Sequence, residues 1–361
     1  MKVIISGGGT GGHIFPAIAI ANAVREARPD AEILFVGAKG KMEMEKVPAA
    51  GYEIIGLTVA GLQRKLTLRN LLFPFKLIAG MLQARKVVKD FRPDVAVGVG
   101  GYASGPVLRV ASQSGVPCLL QEQNSYPGMT NKILAKKAKK ICVAYPDMDR
   151  FFPAEKIILT GNPVRQDITG DADKEEAISH FGLDADKKTI LVIGGSLGAR
   201  SVNEGILKGL ADLGEDVQLL WQTGKFYFEE ISKRAEETGV KNVKVMPFIQ
   251  KMDYAYSVAD VVISRAGALS VSEIAIAGKP AIFVPSPNVA EDHQTKNAKV
   301  MEDNNAALMI KDNETEKLIS SAVELLKDES LLGSLGRNIK KYAKPDAAAR
   351  IAEEVIRLAD G

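Results

Sequence analysis

The chain has 361 residues, with 47 Lys and Arg against 44 Asp and Glu for a net charge of +3, a length that suits two domains better than one core. Its 46% apolar and 25% charged residues exclude a disordered or fibrous chain, and no apolar run approaches the ~20 residues needed to span a bilayer. The small net charge hides an asymmetry: residues 1–161 hold 22 Lys and Arg against 12 Asp and Glu, and the remainder 25 against 32, so a basic half precedes an acidic one and an anionic surface or substrate is implied.

Nucleic acid is not the expected partner, because no RNP-like aromatic pattern, zinc finger or basic heptad helix is present. Cys118 and Cys142 lie in apolar runs and read as buried thiols of a reducing cytosol. The histidines, His13, His180 and His293, are far apart, so no metal site is expected. The chain opens at Lys2 directly into a strand pattern, which reads as the absence of a signal peptide.

Lys2 to Ser6 is β-type, and Gly7-Gly-Gly-Thr-Gly-Gly12 then leads into a helical pattern from His13. The glycines fit G-x-G-x-x-G, but the second strand, from Glu32, lacks the terminal acid that would hold an adenosine ribose. No Gly-Lys-Ser/Thr follows either, which excludes a Walker loop. The loop reads as a place where backbone approaches a ligand closely. His13 stands at its end, as a capping or solvated residue or as a functional one.

Gly61 to Lys89 mixes Arg64, Lys65, Arg69, Lys76, Arg85, Lys86 and Lys89 with Leu71-Leu-Phe-Pro-Phe75 and Leu77-Ile-Ala-Gly-Met-Leu82. This pattern suits a membrane-surface patch meeting anionic headgroups. Leu77, Ile78 and Leu82 read better as the core face of a helix, and Phe73 and Phe75 beside Pro74 as the membrane residues. Asp94-Val-Ala-Val-Gly-Val runs into a second glycine turn, Gly100-Gly-Tyr-Ala-Ser-Gly-Pro106, and Gln121-Glu-Gln-Asn-Ser125 puts polar groups at another strand end, the end at which open α/β sheets bind ligands. Lys132, Lys136, Lys137, Lys139 and Lys140 add a basic run, by default a solvated face.

Gly161-Asn-Pro-Val-Arg165 reads as a linker, after which the plan restarts at Thr189 to Arg200 with a third glycine turn. Asp260-Val-Val-Ile followed by Gly278-Lys-Pro-Ala echoes Asp94-Val-Ala-Val followed by Gly115-Val-Pro-Cys, so two copies of one doubly wound plan are expected. At Asp260 to Glu273 a strand, a small-residue turn and a helix start follow one another. Such a junction aims backbone N–H groups at a phosphate, and Glu273 is placed to accept from a ribose diol, unless it is simply solvated on the helix. Pro345 to Ala359 is a helix with no strand after it, suited to bracing the first half.

These stretches together resemble the MurG family of peptidoglycan glycosyltransferases, which add N-acetylglucosamine to undecaprenyl-linked muramyl-pentapeptide (lipid I) to give lipid II. The resemblance is carried by Gly8 to Pro16, Gly100 to Pro106, Glu122-Gln-Asn124, Gly161 to Arg165, Gly194-Gly-Ser-Leu-Gly-Ala-Arg200, Ser264 to Glu273 and Asp292-His-Gln294. It implies α/β architecture of the GT-B type, two Rossmann-like doubly wound domains facing across a cleft. The expected division is 1–161 for the acceptor and the membrane, 162–344 for the UDP-sugar, and 345–361 as a helix returning to the first domain. UDP-N-acetylglucosamine, lipid I, an anionic membrane surface and other cell-wall synthesis proteins are the implied partners. The implied place is the cytoplasmic face of the plasma membrane, peripherally bound, with no cofactor.

Carried over by position, donor contacts fall on Thr10, Gly11, Gly12, Asn124, Arg165, Ser196, Ile249, Ala268, Leu269, Ser270, Val271, Ser272, Glu273 and Gln294, and acceptor contacts on Gly101, Tyr102 and Ser104. Two positions depart from the family: Gln121 stands where many members have His, and Leu197 where others have Gln. The chain has no plausibly placed Asp-x-Asp clamp, so Arg165, the Ser196 hydroxyl and the helix N-termini are expected to meet the charge on the departing diphosphate. His13 is the candidate general base, since an imidazole titrates near neutrality, or alternatively a contact to the acceptor pyrophosphate. A UDP-N-acetylglucosamine epimerase of the same architecture is the nearest rival reading.

Overall fold

The computed structural model describes residues 1–59, 73–165, 168, 172–195 and 197–361, with only the backbone at 73–77. The chain forms two compact units, Met1–Val164 with Pro345–Gly361, and Arg165–Lys344.

Unit 1 is built on a sheet of seven strands: β1 (Lys2–Ser6), β2 (Glu32–Ala38), β3 (Glu53–Leu57), β4 (Val95–Gly98), β5 (Cys118–Glu122), β6 (Lys140–Val143) and β7 (Ile157–Leu159). Their order is β3-β2-β1-β4-β5-β6-β7, and all pairs are parallel. Parallel strands buried on both faces read as continuous apolar runs, and β1 shows why. Val3 and Ile5 face one core with Ile14, Ile20 and Val24, while Ile4 faces the other with Ala84, Val107 and Leu108, as the two-residue period of a strand requires. The last helix, Ala347–Asp360, gives Ile351, Ala352 and Val355 to the first of these cores, and Asp360 accepts from Arg28 at its outer end. Cys118 and Cys142 are free and buried, and burial pushes both thiols up to about 12.

Unit 2 repeats the plan with β8 (Lys188–Ile193), β9 (Val217–Gln222), β10 (Val243–Met246), β11 (Val261–Ser264), β12 (Ala281–Phe283) and β13 (Leu308–Met309). Their order is β10-β9-β8-β11-β12-β13, again parallel throughout. The correspondence reaches single hydrogen bonds. In unit 1 the Lys2 N–H donates to Asp94 Oδ2 at 2.7 Å and the Asp94 N–H to Lys2 O at 2.8 Å. In unit 2 the Thr189 N–H donates to Asp260 Oδ2 at 2.8 Å and the Asp260 N–H to Thr189 O at 2.9 Å. Each aspartate thus closes the lower end of a central strand pair. At the upper end of that pair the strand order reverses, between β1 and β4 and between β8 and β11, which is where open α/β sheets bind ligands.

The helix Phe73–Phe91 corrects one expectation. Ala84 and Val88 face the core, whereas Ile78 and Leu82, read above as core, are 58% and 63% exposed. Residues four apart share a face, and this one turns outward beside exposed Arg85, Lys86 and Lys89. The Phe73, Phe75 and Leu77 side chains and residues 60–72 lie outside the described part.

Candidate active site

In unit 1 the chain leaves β1 through the glycine loop and enters the helix Gly11–Ala27. The glycine turn after β4 packs onto this loop. A Cβ on Gly7 would sit 2.1 Å from Val99 Cγ2, and one on Gly101 2.3 Å from Gly8 O. Both loops therefore need bare backbone, and Gly100 and Gly101 also take φ of +95 and +86, a region that favours glycine. Ser104 is fully buried, and its hydroxyl proton is shared between Ser6 O (2.9 Å) and Gly100 O (2.7 Å), which ties the end of β1 to the second glycine turn. Tyr102 is 55% exposed and Phe15 45%, and Thr10 and Gly12 are also open to solvent.

His13 lies where these loops meet. Its Nδ1 is 3.2 Å from Gly8 O and 3.3 Å from Thr10 Oγ1. A carbonyl only accepts, so the proton is assigned to Nδ1 and the lone pair of the neutral ring to Nε2. Nε2 lies 2.8 Å from where a Gly100 Cβ would be, so the absent side chain at Gly100 makes room for the imidazole.

A polar network underlies the loop after β5. Glu122, 2% exposed, accepts from the Asn124 N–H (3.1 Å), Asn124 Nδ2 (3.3 Å), the Gly128 N–H (3.1 Å) and Asn131 Nδ2 (2.9 Å). Burial pushes its pKa above the ordinary carboxylate range, opposed by these donors. Asn124 is thereby held from below. Gln121, at the position that departs from the family, is fully buried. It donates to Asn162 Oδ1 at 3.1 Å and accepts from Gln123, while Asn162 Nδ2 donates to Gln123 O at 3.0 Å. That position is therefore structural here.

In unit 2 the loop after β8 is shaped by Gly194, Gly195 and Gly198. A Cβ on Gly198, at φ +79, would fall 2.0 Å from Thr223 O. Ser196 lies outside the described residues, and Leu197 is 77% exposed. Gln222, at the end of β9 and 3% exposed, accepts from the Ile249 N–H at 2.8 Å and donates to Gly195 O at 3.1 Å. The Ile249 side chain is buried and its N–H is used, so its carbonyl is the group it presents.

The turn after β11 starts the helix Ala268–Ala277 from Gly267, with no side-chain cap. Ala268, Leu269 and Ser270 form its first turn, where N–H groups have no intrahelical acceptor. The Val271 side chain is 2% exposed and its N–H donates to Gly267 O. Ser272 donates to Ala268 O at 3.0 Å. Glu273 accepts from the Tyr256 hydroxyl at 3.2 Å. Burial and that carboxylate push the Tyr256 phenol well up, so it stays a donor. Arg165 donates to Gln250 O at 3.3 Å and leaves its guanidinium exposed. Gln294 accepts from the Ser286 N–H at 2.9 Å and fixes the loop after β12. Arg265, inside the most telling motif, is structural: it donates to Asp312 (2.6 Å), Ser201 (2.7 Å) and Val284 O (3.0 Å).

Glu43, Gln222 and Tyr256 escaped sequence reasoning. Glu43 sits in a charged run, Lys41 to Lys46, that looks like any solvated helix face. Gln222 and Tyr256 carry no motif, and only the fold shows what they hold. Among the described residues, no group of three or more His, Cys, Asp or Glu is arranged to hold a metal ion.

The Glycosyltransferase family 28 N-terminal domain profile matches residues 3–143 and the Glycosyltransferase family 28 C-terminal domain profile residues 189–351. A Bacteroides thetaiotaomicron protein named UDP-N-acetylglucosamine–N-acetylmuramyl-(pentapeptide) pyrophosphoryl-undecaprenol N-acetylglucosamine transferase is 55% identical, over 100% of this chain and 98% of its own. A Phocaeicola vulgatus protein of the same name is 57% identical, over 100% and 97%. Among solved structures, Acinetobacter baumannii MurG superposes with a TM-score of 0.82 at 31% identity, covering 99% of both chains. A Neisseria meningitidis UDP-GlcNAc 2-epimerase bound to UDP-GlcNAc gives 0.68 at 15% identity, over 99% and 100%, and so shares the fold alone.

Proposed function

Since the chain belongs to glycosyltransferase family 28, and within it to the N-acetylglucosaminyltransferases that turn lipid I into lipid II, we propose that His13 takes the acceptor proton while unit 2 holds the departing UDP. The enzyme moves N-acetylglucosamine from UDP-N-acetylglucosamine to the undecaprenyl-pyrophosphoryl muramyl-pentapeptide.

In this mechanism the muramyl 4-hydroxyl attacks the anomeric carbon, UDP leaves, and the configuration inverts from α to β. The observation that carries the role of His13 is its Nδ1 contact with Gly8 O at 3.2 Å, which selects the tautomer that, in the neutral ring, leaves the lone pair on Nε2. Such a ring removes a proton from an attacking hydroxyl within hydrogen-bond reach. Negative charge grows on the diphosphate, and the N-terminus of the helix Ala268–Ala277, with Arg165 and the Ser196 hydroxyl, is the proposed sink for it. The Ile249 carbonyl suits a base edge, and Glu273 a ribose diol. Thr10, Gly11, Gly12, Asn124 and Gln294 complete the proposed donor contacts, and Gly101 and Tyr102 those to the acceptor.

The basic unit 1 is proposed to rest on an anionic leaflet at the cytoplasmic face. Ile78 and Leu82 form one exposed apolar step flanked by Arg85, Lys86 and Lys89. Met129 and Ile133, 58% and 63% exposed on the helix Met129–Leu134, form another beside Lys136 and Lys137. Apolar side chains dipping into the interface with cations around them suit peripheral binding. No helix among the described residues is long and apolar enough to cross a membrane.

The direct experiment measures UDP release from UDP-N-acetylglucosamine with and without a lipid I analogue. Acceptor-dependent release with a disaccharide product is expected. Conversion of the donor to its C2 epimer without acceptor and without net UDP release would favour the epimerase instead.

A further inference from the structure

The peptide between Gly8 and Gly9 carries a hydrogen bond at each end. Its carbonyl accepts from His13 Nδ1 at 3.2 Å, and its N–H donates to Glu43 Oε2 at 3.0 Å. Glu43 belongs to the helix Glu43–Ala49 and is 1% exposed, and its other oxygen accepts from the Ala38 N–H at 3.0 Å. A Cβ on Gly8 would lie 2.2 Å from Glu43 Oε1, and one on Gly37 2.6 Å from Glu43 Cγ. Two glycines from different segments thus make room for one carboxylate.

A trans peptide points its N–H and C=O in opposite directions, so holding the N–H of this unit also aims its carbonyl. The loop has few side chains to do this, and Gly9, at φ +87, leaves the chain free to turn. A charged acceptor at the N–H end strengthens that bond and polarises the amide, making the Gly8 oxygen a better acceptor for the imidazole N–H. The arrangement resembles a carboxylate–histidine pair with a peptide inserted between the two. We propose that Glu43 is a positioning residue for His13, acting through the Gly8–Gly9 peptide to hold the proton on Nδ1 and the lone pair on Nε2. Its catalytic consequence rests on His13 being the base, but the tautomer is measurable without turnover.

The test uses full-length enzyme labelled with 15N-histidine, with His13 assigned by its loss in His13→Gln. Long-range 1H–15N correlation is recorded well above the ordinary imidazole pKa of ~6.5. In the wild type the protonated nitrogen is expected at Nδ1; a proton on Nε2 overturns the proposal without any variant. In Glu43→Gln the amide must turn its NH2 toward one of two N–H donors, so the Nε2–H form of His13 is expected to gain population. kcat is expected to fall about 10-fold, the size typical of second-layer partners, with the KM for UDP-N-acetylglucosamine unchanged. A Glu43→Gln enzyme with the wild-type His13 tautomer and lower stability would make Glu43 a purely structural group and overturn the proposal. A tautomer shift in Glu43→Gln together with normal turnover in His13→Ala would uphold the link to Glu43 and reject His13 as base.

Discussion

The Tyr256 hydroxyl donates to Glu273 Oε2 at 3.2 Å, joining the end of one helix, Met252–Val258, to the second turn of another, Ala268–Ala277. Tyr256 is 1% exposed, so the bond comes from inside the protein and fixes the Glu273 carboxylate from below. Glu273→Ala is expected to raise the KM for UDP-N-acetylglucosamine with little change in kcat. Tyr256→Phe should raise it about 2–10-fold, the effect of one hydrogen bond of ~0.5–1.5 kcal/mol. Initial rates over a donor series measure both, and an unchanged KM in Glu273→Ala removes the ribose assignment.

His13→Ala is expected to lower kcat by ~10²–10⁴-fold with donor affinity retained, the span of general-base contributions. Gly100→Ala tests the same point from the other side. Its Cβ would lie 2.8 Å from His13 Nε2 at a backbone φ of +95, which costs roughly 1–2 kcal/mol in backbone strain and displaces the ring. Steady-state kinetics with calorimetric donor binding separates lost chemistry from lost binding.

Gln222 bridges Ile249 and Gly195 from a 3% exposed position. Gln222→Ala leaves a buried N–H without its acceptor, a loss of ~1–3 kcal/mol, and frees the third glycine loop. Lower urea resistance together with weaker UDP binding is the expected pair of results. Loss of stability with UDP affinity intact would confine Gln222 to the core.

Glu122 predicts a pH effect of definite sign. Burial raises its folded-state pKa, so above the unfolded value the unfolded chain releases this proton first. The folded state then binds more protons, and stability falls as pH rises toward the folded value. Urea midpoints of wild type and Glu122→Gln across acidic to neutral pH isolate this contribution, because the amide does not titrate. A wild-type excess that grows with pH would mean that the four N–H donors outweigh burial.

Changing Ile78 and Leu82 together to Ser is expected to weaken binding to anionic vesicles by at least about 10-fold, since each buried aliphatic side chain is worth ~1.5–3 kcal/mol. Turnover of a short-chain soluble acceptor should be spared. Equal loss with both acceptors would place these residues in the catalytic unit's own packing.

Read alone, the chain displayed its doubled plan, since the Asp94 and Asp260 segments have the same order of strand, glycine turn and helix, and that order follows from local propensity. It also marked the glycine loops, because a close backbone approach tolerates no other residue. Folding decided which side chains stand behind those loops. Ile78 and Leu82 have the spacing of a core face, yet which face of a helix turns inward depends on what packs against it, and here Ala84 and Val88 take the core. Glu43 is 34 residues from Gly9 in sequence, and nothing in its charged neighbourhood separates it from a solvated glutamate. Only a tertiary contact, made when the helix Glu43–Ala49 closes over the end of β2, turns that carboxylate into the group beneath the first glycine loop.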